Sequence, residues 1–447
     1  MTANPFSWNV ALGTARALAK RLNWVASKTM YSNITSMAEQ QQTMDHGGVT
    51  FPPFTDFNGK AFHNASFRGA VFEGKVTFQK TTFTGTTDFS GATFKGPVEF
   101  NEGRFEGDVN FRKAHFVDAT KFTSVDFGGA ATFAEVRFSH DSHFTKATFA
   151  GASDFSKTEF HAWSLFNSSR FAADANFSEV NFRGSANFAD VDFTRNVTFV
   201  NAHFIAFADF QRTRFHGVAQ FQNANIECKT LFRDAVFARD ANFTDCRFTH
   251  PVNFSAARFE SALMLERVVL MQFVDFSKTH LSGTFHFSPP KGSEGLAPEV
   301  RFENVVIEHP EKVRFANTSF EKITLMGTAL RGVHIENPRW PKRGLFKKRS
   351  VIYDEIQKEK PDPQKLAQLY RDIRANLRNS AVRQNLGDFL YSEMELRRTQ
   401  RRAGTDSLYF FRRYLSPYTL FWLTCGYGRR PLRMLITAGI VGWIYFR

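Results

Sequence analysis

The side chains with which this chain could bind a metal, attack a carbonyl or move a proton are 13 His, 3 Cys and 43 Asp and Glu. Such chemistry needs them at short, fixed spacings. Cys228, Cys246 and Cys425 keep no metal-ligand spacing. The His residues are scattered, and several, such as His115 and His143, read as outward, solvated positions. No phosphate loop, Gly-x-Ser-x-Gly or His-Glu-x-x-His occurs. The sequence therefore argues against an enzyme: catalytic residues none, cofactors none, metal ligands none. So few Cys also exclude a disulfide scaffold and fit a reducing, cytoplasmic setting.

Charge is the next functional signal. Residues 57–287 carry 24 basic and 24 acidic groups, whereas residues 338–447 carry 23 and 9. The net charge of +14 thus belongs to the C-terminal quarter. A tail of this kind predicts an anionic partner, a membrane surface or nucleic acid.

The element that must position everything else is set by 54 Phe in 447 residues. From Phe72 they recur through Phe83, Phe94, Phe105, Phe116, Phe127, Phe138 and Phe149, with a second Phe between each pair. Steps of six and five alternate, so the unit is 11 residues. Of 40 such positions up to Phe287, 36 are Phe, and the others are Ile226, Leu265, Leu270 and Leu281. Steps of five open the run at Phe57 and close it at Phe315, Phe320, Leu325, Leu330 and Ile335. Two residues before each Phe the side chain is small or β-branched (Ala92, Val109, Ala114, Thr120), and one before it is mostly polar (Glu99, Asn110, His115, Lys121). In–out–in alternation of this length is a short strand with one buried face. Steps of five and six do not keep one face of a helix. Strands so short bury their faces only by stacking as successive coils about 4.8 Å apart.

The unit of a small residue, a polar residue, Phe and two more resembles the pentapeptide repeat proteins over about residues 57–335. The resemblance implies an all-β solenoid, a right-handed quadrilateral β-helix. This sequence departs from the pattern in its Phe centre and in one extra residue per second unit. Two units would make a 22-residue coil of four sides, and ten coils would make a rod about 48 Å long. The extra residue is expected at alternate corners. The eight Phe named from Phe72 to Phe149 are expected in the core stack. Residues 288–300, with Pro289, Pro290 and Pro298, read as a loop extruded from the rod.

The resulting organisation is an N-terminal helix and polar linker (1–50), the solenoid (51–337), a basic linker (338–362), a helical hairpin (363–402) and a membrane-associated segment (403–447). Residues 5–28 keep one apolar face, as a helix that covers the first coil or lies in a membrane plane does. The stretch from Leu369–Tyr370 to Glu393–Arg398 is similar to a helical segment of membrane-associated bacterial members of that family. Met434–Phe446 is an apolar run of 13 residues, short of the ~20 that span a bilayer. The frame is therefore expected to be truncated.

Thr424–Cys425–Gly426–Tyr427–Gly428 resembles the filter of potassium channels. Arg429 and Arg430 follow at once and would repel a cation, so an interfacial turn is the better reading. The expected membrane contacts are Trp422, Tyr427, Arg429, Arg430, Arg433 and Trp443, with the rod on the cytoplasmic side of the inner membrane. The function expected is a non-enzymatic, membrane-tethered scaffold that binds a protein partner. The alternatives are the sensory or assembly domain of an ion-channel-like protein and, less favoured, a DNA mimic that protects a topoisomerase. A mimic needs an acidic rod, and 24 against 24 is neutral. Nucleic acid is disfavoured as a partner, since the tail lacks placed aromatics. A homodimer stays open.

Overall fold

Strands of two or three residues, such as Val109–Asn110 and Lys75–Thr77, make up nearly all of the regular structure before residue 337. In the computed structural model, residues 43–290, 298–344, 349–357, 361–379, 385–400, 419, 422–424, 427 and 431–445 are described. The amphipathic stretch 5–28 lies outside them, as do residues 291–297 of the expected loop.

The strands are parallel and pair one coil apart, 22 residues on. Val98 lies on Thr120, Phe105 on Phe127, Val109 on Ala131 and His115 on Arg137. These four registers are four faces, met by the chain in the order Val71–Phe72, Lys75–Thr77, Thr82–Phe83, Thr87–Asp88. The first face stacks 11 strands and the second 13, so the solenoid has about 13 turns. The third and fourth are joined into one sheet of 25 because Ala61–Ser66 runs through the corner between them. Twelve spacings of about 4.8 Å make a rod roughly 58 Å long. It exceeds the expected ten coils because the five-residue steps at both ends coil as well. Thr43–Asp45 already pairs with Ala61–Ser66, and Phe51 stacks on Phe72 at 4.6 Å. Part of the stretch read as a loose linker is thus the first coil.

The two step lengths build two kinds of corner. After the second and fourth faces the step is five, and the residue two past the Phe turns left-handed: Lys80 (φ 55°), Lys113 (59°), Ala256 (57°). The next N–H donates back to the Phe carbonyl, Ala114 to Phe111 at 2.9 Å. This is a tight turn that needs positive φ. After the first and third faces the sixth residue makes the corner without it. Asp and Asn before the tight corners accept from the backbone two residues on, as Asp88 does from Ser90 (2.8 Å) and Asn110 from Arg112 (2.9 Å).

Inside, each Phe stacks on the Phe one coil away. Phe72, Phe94, Phe116 and Phe138 form one column on the first face, with ring centroids 4.6–4.9 Å apart. Phe83, Phe105, Phe127 and Phe149 form another on the third, at 4.6–5.3 Å. All eight are buried. Neighbouring columns meet edge to face, Phe89 on Phe100 at 84°. Both arrangements suit the ring quadrupole.

The far end is closed by helices. Trp340 stacks on Phe320 at 4.4 Å, and Phe389 meets it edge-on at 5.1 Å. Helix α1 (Pro363–Asn379) buries Leu366, Leu369, Tyr370, Ile373 and Leu377, which share one face. Asp362 caps it, accepting from Gln364 N–H at 2.9 Å. Helix α2 (Leu386–Gln400) packs beside α1. The expected basic linker is structured where it is described. Lys342–Arg343 pairs antiparallel with Arg349–Ser350, and Val351, Ile352 and Asp354 are buried. Helix α3 (Pro431–Tyr445) follows.

Candidate interaction surfaces

Outward residues on the four faces are not equivalent. On the second and fourth faces Asp88, Asn110, Asp154, Asn176, Asp209 and Asn253 spend a side-chain oxygen on the tight corners. On the first and third, which precede the looser corners, side chains point out unbound by turns: His115, Arg137, Glu159 and Arg247 on one, Arg104, Asp126, Arg170, Asp192, Arg214 and Arg258 on the other. Many charges pair with the coil above or below. Arg212 meets Asp190 at 2.7 Å, Lys95 meets Glu73 at 2.8 Å, and Arg112 meets Glu135 at 2.5 Å. Exposed pairs of this kind each add little to stability. They do consume surface charge.

His115 and His143 are half-buried rather than freely solvated. Burial, then for His115 the charge of Arg137, holds both below the usual imidazole range. Cys228 and Cys246 are buried, and burial pushes their thiols up to about 11 and about 12. They are packing groups, not nucleophiles. Among the described residues no group of His, Cys, Asp or Glu is placed to hold a metal ion.

Two surface features escaped sequence reasoning. The corner from the first to the second face carries aromatics in one column: Phe54 (63 % exposed), Trp163 (60 %) and the half-buried Phe207. Equivalent positions hold Pro97, Ala119 and Asp141, so a 22-residue alignment of the coils would have found them. The fourth face holds a shallow groove of ≈ 550 Å³ lined by small polar side chains, among them Thr132, Asp154, Asp174, Asn176 and Gln220.

The expected membrane contacts divide. Trp422 Nε1 donates to Tyr391 Oη at 3.3 Å, and Arg398 lies over the Trp422 ring at 4.7 Å. Tyr427 is buried against α2, its hydroxyl donating to the Met394 carbonyl at 3.4 Å. Both are packed on protein. Trp443 is exposed on α3, beside Leu435, Ile436, Ile440 and Val441. Arg433 falls within α3. Arg429 and Arg430 lie outside the described residues, as do Cys425, Gly426 and Gly428 of the filter-like motif. Among the described residues no helix is long and apolar enough to cross a membrane.

A stacked, four-faced parallel coil with an unbroken apolar core defines a β-solenoid repeat protein. Residues 57–104, 104–148, 166–214 and 210–258 match the family model for pentapeptide repeats (9 copies). The solenoid is thus built of pentapeptide repeats. No curated protein and no solved structure matches it. A solenoid of this family points to a scaffold or protein-interaction role.

Proposed function

We propose that this protein is a non-enzymatic scaffold whose rod presents its first and third faces to a protein partner, while the C-terminal segment holds it to the cytoplasmic side of the inner membrane. The observation that carries the scaffold reading is the division of labour among the faces. The core and tight corners absorb the Phe and Asx residues, and two faces are left with outward charged side chains that the tight corners do not bind. A rigid rod loses little conformational entropy when it binds, which favours a surface of modest area.

Helix α3 supports the tether. Its 15 residues are about 22 Å long, below the ~30 Å of a hydrocarbon core. Leu435 is 71 % exposed and Val441 63 %. A short apolar helix in a basic tail suits the plane of an anionic interface.

Two measurements test the two halves. Photo-crosslinkers placed at outward positions of each face in cells should yield a discrete protein adduct from the first or third face. No adduct from any face would sink the scaffold. Carbonate-washed membranes should retain the full chain and release Leu435→Asp/Ile440→Asp/Val441→Asp. Equal retention of both would remove α3 as the anchor.

A further inference from the structure

Between residues 190 and 260 the third face departs from the pairing found elsewhere. Arg214 and Arg258 point out from it two coils apart, with Val236 between them. Arg195 and Arg239 stand at the adjoining corner, also two coils apart. All four are exposed, and none has a carboxylate within ion-pairing distance among the described residues. The acids nearby are engaged. Asp192 is held by His216 at 3.0 Å and Arg170 at 3.8 Å. Asp240 accepts from Ser261 Oγ at 2.6 Å and Ala262 N–H at 3.1 Å. Asp190 lies in the field of Arg214 but is bound by Arg212 at 2.7 Å, which leaves Glu260 on this strip to set against four guanidinium groups. In a rod that carries 24 basic and 24 acidic groups and pairs many of them between coils, this is a local surplus.

We propose that this strip is the docking surface for an acidic, extended peptide segment of a partner protein. The inference rests on the scaffold reading and names its surface and partner chemistry. Two coils are roughly 10 Å, and a peptide extended as polyproline II, with three residues per turn, rises about 3.1 Å per residue. Carboxylates three residues apart therefore lie on one side of it, about 9 Å apart, and match Arg214 and Arg258. Half-buried Val236 and Ala238 between them suit an apolar side chain between those acids. Guanidinium forks bind carboxylates in two-point fashion. Nucleic acid is the poorer occupant, because the strip has no outward aromatic on which a base could stack.

The test uses the full chain and a fluorescent peptide with Glu at every third position and Leu between. Binding should weaken steeply with salt. It should fall about tenfold or more in Arg214→Gln/Arg258→Gln. Arg104→Gln, which removes a paired arginine of the same face away from the strip, should leave it unchanged. Equal binding of a Gln-for-Glu peptide, or an equal loss in the paired-arginine variant, would overturn the proposal. So would tighter, Arg214- and Arg258-dependent binding of a single-stranded oligonucleotide of the same charge. If the peptide fails while crosslinking captures a partner on another face, this inference falls and the scaffold stands. If no face yields an adduct, the scaffold itself falls.

Discussion

Ala256 turns a tight corner at φ 57°, a region that costs an L-residue about 1–2 kcal/mol and Gly nothing. Replacing it by Gly adds backbone entropy to the unfolded chain, worth about 0.5–1 kcal/mol. The expected net effect of Ala256→Gly is a stabilisation of about 0.5–1 kcal/mol in chemical denaturation. A loss would mean that the corner is not left-handed. Thr158 shows how a polar residue enters this core. Its hydroxyl donates to the Phe133 carbonyl one coil back at 2.6 Å. Thr213, Thr279 and Cys246 repeat the contact with Phe188, Phe254 and Phe221. Thr158→Val keeps the volume and loses the bond, so it should cost about 1–2 kcal/mol.

The C-terminal cap is held by a carboxylate and an indole. Asp354 accepts the Leu325 and Met326 N–H groups at 3.0 Å, closing the last coil where no further strand can. Its burial pushes its pKa up to about 6, above the ordinary 3.8, despite those bonds. A raised folded pKa means that the folded state binds a proton the unfolded state has lost. Stability is therefore fully present below about 4 and is lost as pH rises through 6. The span is at most about 3 kcal/mol. Hydrogen exchange of α1 should slow as pH falls from 7 to 5, after correction for the intrinsic rate. Asp354→Asn should abolish that slope, and a slope kept in the variant would assign it to another group. Trp340→Ala removes the stack on Phe320 and should cost the cap about 3–5 kcal/mol. Exchange in α1 and α2 should then rise while residues 100–200 stay protected.

Across the molecule each coil touches only the next, so stability is a sum of neighbours. Phe166 stacks on Phe144 at 4.8 Å and on Phe188 at 4.9 Å, near the middle of the rod. Phe166→Ala should cost about 3–5 kcal/mol and split unfolding into two transitions, one for each half. A single transition with an unchanged midpoint would contradict the one-dimensional picture. The same geometry explains the docking proposal. Spacing between arginines on a face comes only in multiples of one coil, so a partner can be matched by register.

The strands, their inward Phe and the corner at every fifth or sixth residue were all legible in the sequence. The reason is physical: in a solenoid every core contact lies at one fixed separation, 22 residues, and a period can be read off a string. His115 and His143 were misjudged as solvated because alternation tells in from out, not how far the next coil covers an outward ring. A helical hairpin was expected over 363–402, but its docking on the last coil could not be read. Asp354 meets Met326 at a separation of 28 residues and Asn376 meets the Leu330 carbonyl at 46. These contacts join a helix, a turn and a coil, which share no period. The free arginines of the third face were equally invisible, since each looks like its paired neighbours until the coils are stacked. Composition and spacing alone determined that this chain coils and what fills it. Only the packed rod decided how its end is closed and which charges are left for a partner, because both depend on contacts between elements with no common repeat.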